Sequence, residues 1–247
     1  MKKKTTMAIV SLTACEGCQV ALLDLGKKFF DFLKKIELVD FGLLEEKPFP
    51  KGKIDLVFVE GNPITDEDLS ILKKIREQAK ILVVMGNCAA LGGIPEMKNY
   101  QGKEKTIRHI YKNSRGIANP DIKEIDNFVK VDFTIPGCPI NNEEFLKYAK
   151  ILITGKIPKM PEKPICSECP RQGKESCFLR RGEPCFGPVI IAGCNAVCIK
   201  SDFPCYGCRG FLDNINPAGF LKTLEKMTDK KDIENNLEIF GLKDSLK

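Results

Sequence analysis

Twelve of the 247 residues are cysteine. Three pairs of them are spaced C-x-x-C: Cys15 and Cys18 in CEGC, Cys166 and Cys169 in CSEC, and Cys205 and Cys208 in CYGC. In a small secreted scaffold such a count would describe a disulfide framework, but a chain of this length with many ordinary core residues does not need one. Short pairs of this kind favour a shared metal. The last eight cysteines fall into two contiguous sets. One is Cys166, Cys169, Cys177 and Cys185, spaced C-x2-C-x7-C-x7-C; the other is Cys194, Cys198, Cys205 and Cys208, spaced C-x3-C-x6-C-x2-C. Four thiolates suit either a tetrahedral zinc ion or a cubane iron–sulfur cluster. Zinc usually gathers two C-x2-C pairs, and only the last set approaches that pattern. Long, uneven loops carrying Pro and Gly fit a larger cluster better, so iron–sulfur is preferred while zinc stays open. The bacterial ferredoxin run C-x2-C-x2-C-x3-C-P is absent. Splitting the eight by contiguity is an assumption, since clusters can borrow ligands across sets.

The elements that would position the other four cysteines are legible upstream. Apolar runs at Met7–Leu12, Ile36–Phe41, Ile54–Gly61, Ile81–Gly86 and Phe128–Ile135 read as strands. Between them lie an amphipathic helix over Gln19–Ile36 and a helix to Ala79 capped by Thr65 with Asp68. A closing helix spans Asn142–Leu152. Near-continuous apolar strands alternating with helices indicate an α/β fold with a flavodoxin-like parallel sheet covered on both faces. Ligands in such sheets bind at the carboxyl ends of the strands. Cys15 and Cys18 follow the first strand, Cys88 the fourth and Cys138 the fifth, so all four are expected at one edge, where Glu60 also ends the third strand. The neighbouring glycines in MGNC, LGG and PGCP allow the close backbone approach that a compact inorganic cluster requires.

This placement decides how the N-terminus is read. Lys2, Lys3 and Lys4, an apolar run and then Cys15 imitate a lipoprotein signal with its lipid-attachment cysteine. Eight apolar residues are at the bottom of the range for a signal peptide, and that reading leaves Cys18, Cys88 and Cys138 without a role. Cys15 is expected to be a ligand.

From Cys166 to Cys208 eight cysteines occupy 43 residues with many glycines and prolines and little periodicity. Such a segment is expected to take its order largely from metal. The tail returns to helical patterning, with Phe220, Leu221, Leu224 and Met227 on one face, and reads as packing helices. The expected division is residues 1–155 as the flavodoxin-like domain, 156–212 as a small irregular iron–sulfur domain and 213–247 as packing helices. No apolar stretch approaches the roughly 20 residues of a membrane span. The net charge of +6 does not point to nucleic acid, because Lys and Glu alternate and no basic stripe is interleaved with aromatics. Each oxidised four-iron core on four thiolates carries about −2, so roughly three would cancel that charge.

The motifs CEGCQVALLDL, VEGNP, MGNCAALGGIP, IPGCPIN, GEPCFGP and CYGC, in this order from residue 7 to about 210, resemble the small, electron-transferring subunit of [NiFe] hydrogenases. The cytosolic sulfhydrogenase delta and coenzyme F420-reducing hydrogenase gamma types are the most similar. The resemblance implies a proximal [4Fe–4S] cluster on Cys15, Cys18, Cys88 and Cys138 beside a nickel–iron centre in a separate large subunit. It further implies a distal cluster on Cys166, Cys169, Cys177 and Cys185 and a medial one on Cys194, Cys198, Cys205 and Cys208. Periplasmic members use a histidine where Cys166 stands and often only three medial cysteines, whereas Cys198 offers a fourth thiolate. Three [4Fe–4S] clusters of low potential are therefore expected. They would serve exchange with a flavin-containing NAD(P)H or F420 oxidoreductase subunit or a ferredoxin-like subunit. With no twin-arginine leader in the sequence, the cytoplasm is the expected compartment. The complex I subunit sharing this sheet carries adjacent cysteines at its first motif and lacks the later eight.

On this reading the chain itself carries no general acid or nucleophile. His109, in TIRHIYKN, reads as a surface or structural histidine. Glu60 is either a helix-capping or loop carboxylate or a hydrogen-bonding or proton-handling group, and Glu16 either tunes the first cluster or meets the large subunit. Arg171, Arg180 and Arg181 read as a solvated face, with charge compensation or partner docking as the alternative.

Overall fold

The computed structural model describes residues 4–45, 48–113, 117 and 120–246. Five parallel strands form one sheet in the order β2-β1-β3-β4-β5: β1 Thr5–Ser11, β2 Ile36–Phe41, β3 Ile54–Glu60, β4 Ala79–Met85 and β5 Phe133–Ile135. This is the flavodoxin-like order, in which the connections reverse direction beside β1. Side chains alternate faces along each strand. Met7, Ile9, Leu56, Phe58, Val83 and Met85 bury on one side against Leu22, Phe29, Phe32 and Phe145. Ala8, Val57, Val59, Leu82 and Val84 bury on the other against Leu72 and Ile75. The helices responsible are α1 (Gly17–Leu23), α2 (Lys27–Leu33) and α7 (Asn142–Leu152) on the first face, and α3 (Asp66–Gln78) on the second.

Two expectations need correction. The helix over Gln19–Ile36 is two helices, because Gly26 takes φ 52° between α1 and α2, a backbone state that interrupts a right-handed helix. Phe30, next to the buried Phe29 in α2, is 50 % exposed. The fifth strand is shorter than Phe128–Ile135. Ile125–Asn127 form a 3-10 turn, and the Asp132 carboxylate accepts the Leu82 N–H (2.8 Å) and an Arg76 bond (2.6 Å), so side chains hold what a longer ladder would have held.

At the carboxyl edge, short helices α4 (Asn87–Leu91) and α5 (Gly93–Glu96) follow β4, and α6 (Lys103–Ile110) follows them. Beyond residue 155 the cysteine-rich segment contains a 3-10 turn at Ile165–Glu168 and one short α-helix, α8 (Val197–Lys200); α9 (Pro217–Leu224) and α10 (Lys230–Ile239) follow. Its apolar side chains are better used than their irregular spacing suggests. Ile165, Phe178, Phe186, Val189, Ile190 and Ile199 share one core with Leu221, Leu224, Ile233, Leu237 and Leu242 of the tail. The segment thus draws order from a core shared with the tail helices, in addition to any metal. Among the described residues no helix is long and apolar enough to cross a membrane.

Candidate metal centres

The segment Met7–Leu12, whose reading was in question, is the body of a central strand: β1 pairs with both β2 and β3, and Met7, Ala8 and Ile9 are fully buried. Cys15 follows it on an exposed turn, Glu16 takes φ 61°, and Cys18 is buried in the first turns of α1. Cys88 sits at the start of α4 and Cys138 just after β5. The structure brings these four together: Cys88 faces Cys138 and Cys15, Cys18 faces Cys88, and Cys138 faces Cys15. Gly86 (φ 91°) is required here, since a Cβ on it would lie 2.6 Å from the Cys18 sulfur.

Cross-ties hold these loops in register. The Asn62 N–H donates to the Thr13 carbonyl (3.0 Å), and its side-chain amide donates to the Cys88 carbonyl (2.8 Å). The Asn87 N–H donates to the Gly137 carbonyl (2.7 Å), and its side chain reaches the Cys208 and Phe240 carbonyls, each at 2.9 Å. Glu60, 2 % exposed, accepts a bond from Gln19 (2.9 Å) and lies against Cys18. Burial holds its carboxyl above the usual range, partly offset by Gln19 and Cys18.

The two later sets also assemble. Cys166 is surrounded by Cys185, Cys169 and Cys177, while Cys208 faces Cys194 and Cys198. Cys205 stands between the sets, facing Cys185 on one side and Cys208 and Cys194 on the other. Cys194, Cys198, Cys205 and Cys208 line an apolar cavity of about 120 Å³, together with Cys138, Ile190, Ile199 and Arg209. Among the described residues, no group of three or more His, Cys, Asp or Glu is already drawn together tightly enough to hold a metal ion.

Burial dominates the electrostatics of these thiols. It pushes Cys88 and Cys166 up to about 11, with neighbouring cysteines adding to the rise. It pushes Cys208 up to about 12, with Cys194 adding and the Cys138 N–H and Arg209 opposing. Cys18 and Cys205 are also raised, by the same cause. Crowded thiols that resist ionisation alone ionise readily when a cationic metal core replaces their protons, so the donor sets fit such a group.

Of the remaining expectations, His109 lies exposed on α6. Arg180 pairs with Glu175 and Arg181 with Glu183 on the surface. Arg171 departs from a plain solvated face. Its side chain is 20 % exposed, binds Asp202 (2.5 Å) and lies 4.6 Å from the Phe178 ring, while its N–H donates to the Cys169 sulfur (3.3 Å). Sequence reasoning missed a fully buried ion pair, Arg209 with Glu144. The available signal was an arginine placed directly after CYGC.

Residues 15–152 match the family described as NADH ubiquinone oxidoreductase, 20 Kd subunit. Sulfhydrogenase 2 subunit delta of Pyrococcus furiosus is 33 % identical over 95 % of this chain and 98 % of its own length. A subunit of the vhu F420-non-reducing hydrogenase of Methanocaldococcus jannaschii is 34 % identical over 84 % of this chain and 82 % of its own length. An actinobacterial-type NiFe-hydrogenase chain from Ralstonia eutropha H16 shares the fold, with TM-score 0.61 over 99 % of this chain and 91 % of that one at 16 % identity. The Pyrococcus match, over 95 % of the chain, spans the cysteine-rich segment as well as the sheet, and the chain belongs to the NADH ubiquinone oxidoreductase 20 kDa subunit family, as a small subunit of the [NiFe]-hydrogenase type.

Proposed function

We propose that this chain is the electron-relay subunit of a [NiFe] hydrogenase and holds three [4Fe–4S] clusters. The proximal cluster is assigned to Cys15, Cys18, Cys88 and Cys138, and the medial to Cys194, Cys198, Cys205 and Cys208. The distal cluster is assigned to Cys166, Cys169, Cys177 and Cys185. One observation carries the reading: the three thiol groups form a continuous series. The Cys138 N–H is directed at the Cys208 sulfur, and the Cys205 N–H donates to the Cys185 sulfur at 3.3 Å. The 120 Å³ cavity lined by all four medial cysteines favours a cluster over an isolated zinc ion.

Bound clusters of this kind supply one-electron acceptance and donation. The chain's own residues determine where and at what potential. Backbone N–H groups aimed at sulfur stabilise negative charge: Gly187 and Cys205 supply them to Cys185, and Ala196 and Val197 to Cys194. The cavity shared by the medial cysteines has mostly apolar walls, with Cys198 exposed at its rim. Cys15, Glu16 and Cys138 are exposed at the sheet edge, which suits contact with a large subunit carrying the nickel–iron site. Electrons would leave near the distal group toward a flavin-containing NAD(P)H or F420 oxidoreductase subunit or a ferredoxin-like subunit, in the cytoplasm.

The test is iron, acid-labile sulfide and zinc per chain, on protein purified without oxygen together with its partners. About 12 irons with matching sulfide, and hydrogen-dependent dye reduction, are expected. About 4 irons with one or two zincs would break the relay. Full iron without hydrogen activity would instead mark an Fe–S adaptor of another redox complex.

A further inference from the structure

The buried ion pair is not part of any thiol group, yet it touches two of them. Arg209 and Glu144 side chains are 1 % and 3 % exposed. A guanidinium has five N–H donors, and all five of Arg209 are used. Two go to the Glu144 carboxylate (2.7 and 2.9 Å), one to the Pro136 carbonyl (2.7 Å), one to the Ile191 carbonyl (3.0 Å) and one to the Ala192 carbonyl (2.9 Å). Pro136 lies two residues before Cys138, Ile191 and Ala192 just before Cys194, and Arg209 itself follows Cys208. Glu144 projects from α7, whose cap Asn141 donates its side-chain amide to the Cys194 carbonyl (3.3 Å). One side chain therefore ties a loop of the first cysteine group to two loops of the third. The fit leaves no slack: Gly193 (φ 127°) carries no Cβ, and one placed there would lie 2.0 Å from Glu144 Oε1 and 2.5 Å from Arg209 Nη2.

Stability alone does not account for such a pair, since desolvating two ions is costly and well-packed apolar residues often serve as well. An apolar pair would supply neither the directional bonds nor the charge. The charge is placed asymmetrically, because Arg209 lines the third group's cavity with its four cysteines and Glu144 does not. A cation beside a negatively charged cluster favours its reduced form.

We propose that Arg209, held by Glu144, is a positioning residue that fixes the first cysteine group against the third and raises the reduction potential of a cluster bound at the third. The proposal rests on the relay reading above, and the iron content of the unsubstituted complex tests that reading first. Fewer than about 12 irons per chain, with no third-group cluster, would overturn both.

Given the full complement, redox titration followed by electron paramagnetic resonance on the anaerobically purified complex separates positioning from plain structure. The double variant Arg209→Met with Glu144→Met, free of a stranded charge, is expected to retain its iron. Its third-group potential should fall while the second-group potential stays unchanged. Glu144→Gln, which removes only the counter-charge, should move the same potential the opposite way. Arg209→Lys keeps the charge but not the five-bond fork. It should leave that potential near the original and change the spin–spin coupling between the first- and third-group clusters. A lower melting temperature with all three potentials and the coupling unchanged would overturn the proposal. So would shifts of the same sign in the double variant and Glu144→Gln. Should the double variant fail to fold, the two single variants still decide the matter.

Discussion

Glu96 is 2 % exposed at the end of α5. Burial pushes its carboxyl up, the Tyr100 hydroxyl offsets part of the rise, and Asp244 and Glu124 add to it, leaving it at about 7. An acid raised in the folded state binds its proton more tightly there than in the unfolded chain. Its contribution to stability is therefore complete below about pH 4.5 and is lost as the pH rises through about 7. Glu96→Gln should unfold at higher denaturant than the parent at pH 8, by ~1–2 kcal/mol, with the difference vanishing at pH 4.5. Denaturant midpoints at the two pH values measure this. The residues visible in the sequence were the cysteines, because their type and spacing name their chemistry. Arg209, Glu144, Asn62 and Asn87 were hidden for the opposite reason. Charged and amide side chains are usually solvated, and only the three-dimensional path shows that these four are buried, Arg209 and the two asparagines donating to carbonyls and Glu144 accepting from Arg209. Glu144 was especially well disguised, as an acid in the first turn of a helix where it would be expected at the surface.

Among the elements, α3 was read closely because its signals are local. Thr65 accepts the Asp68 N–H (3.0 Å), and the Asp68 carboxylate accepts the Thr65 N–H (3.0 Å), a reciprocal cap written in four consecutive residues. Asp68 also receives the Thr13 hydroxyl (2.8 Å), so the cap secures the turn leading to Cys15. Thr65→Ala should cost ~1 kcal/mol in a denaturant titration and leave the iron content unchanged, since it keeps Asp68 and its bond to Thr13. The strand order was likewise legible from alternating apolar runs and helices. What failed was local geometry under tertiary control. Gly26 divides a run of helix-forming residues into α1 and α2, and the Arg76–Asp132 pair ends the ladder of β5 early. In the cysteine-rich segment the apolar residues have no period because turns separate them. Their partners lie in α9 and α10, beyond the reach of any sequence window.

At the scale of the molecule, two of the three cores flank the sheet and contain one cysteine between them, Cys18. The third contains Cys185 and packs against Cys169, Cys194 and Cys205. Loss of metal should therefore act unequally. Anaerobic chelation followed by amide hydrogen exchange should show faster exchange across residues 165–242, with β1, β3 and β4 remaining protected. Uniform acceleration over both halves would contradict this separation. The same division bears on synthesis. The first cysteine group is drawn from three separated stretches of chain, so Cys15 and Cys18 emerge from the ribosome long before Cys88 and Cys138. They meet those partners only after β4 and β5 have joined the sheet. The other eight arrive within 43 residues of one another. On the relay reading, then, the site nearest the large subunit is one that folding completes. The two farther sites are each encoded in one short stretch that an iron-delivery apparatus could address on the nascent chain.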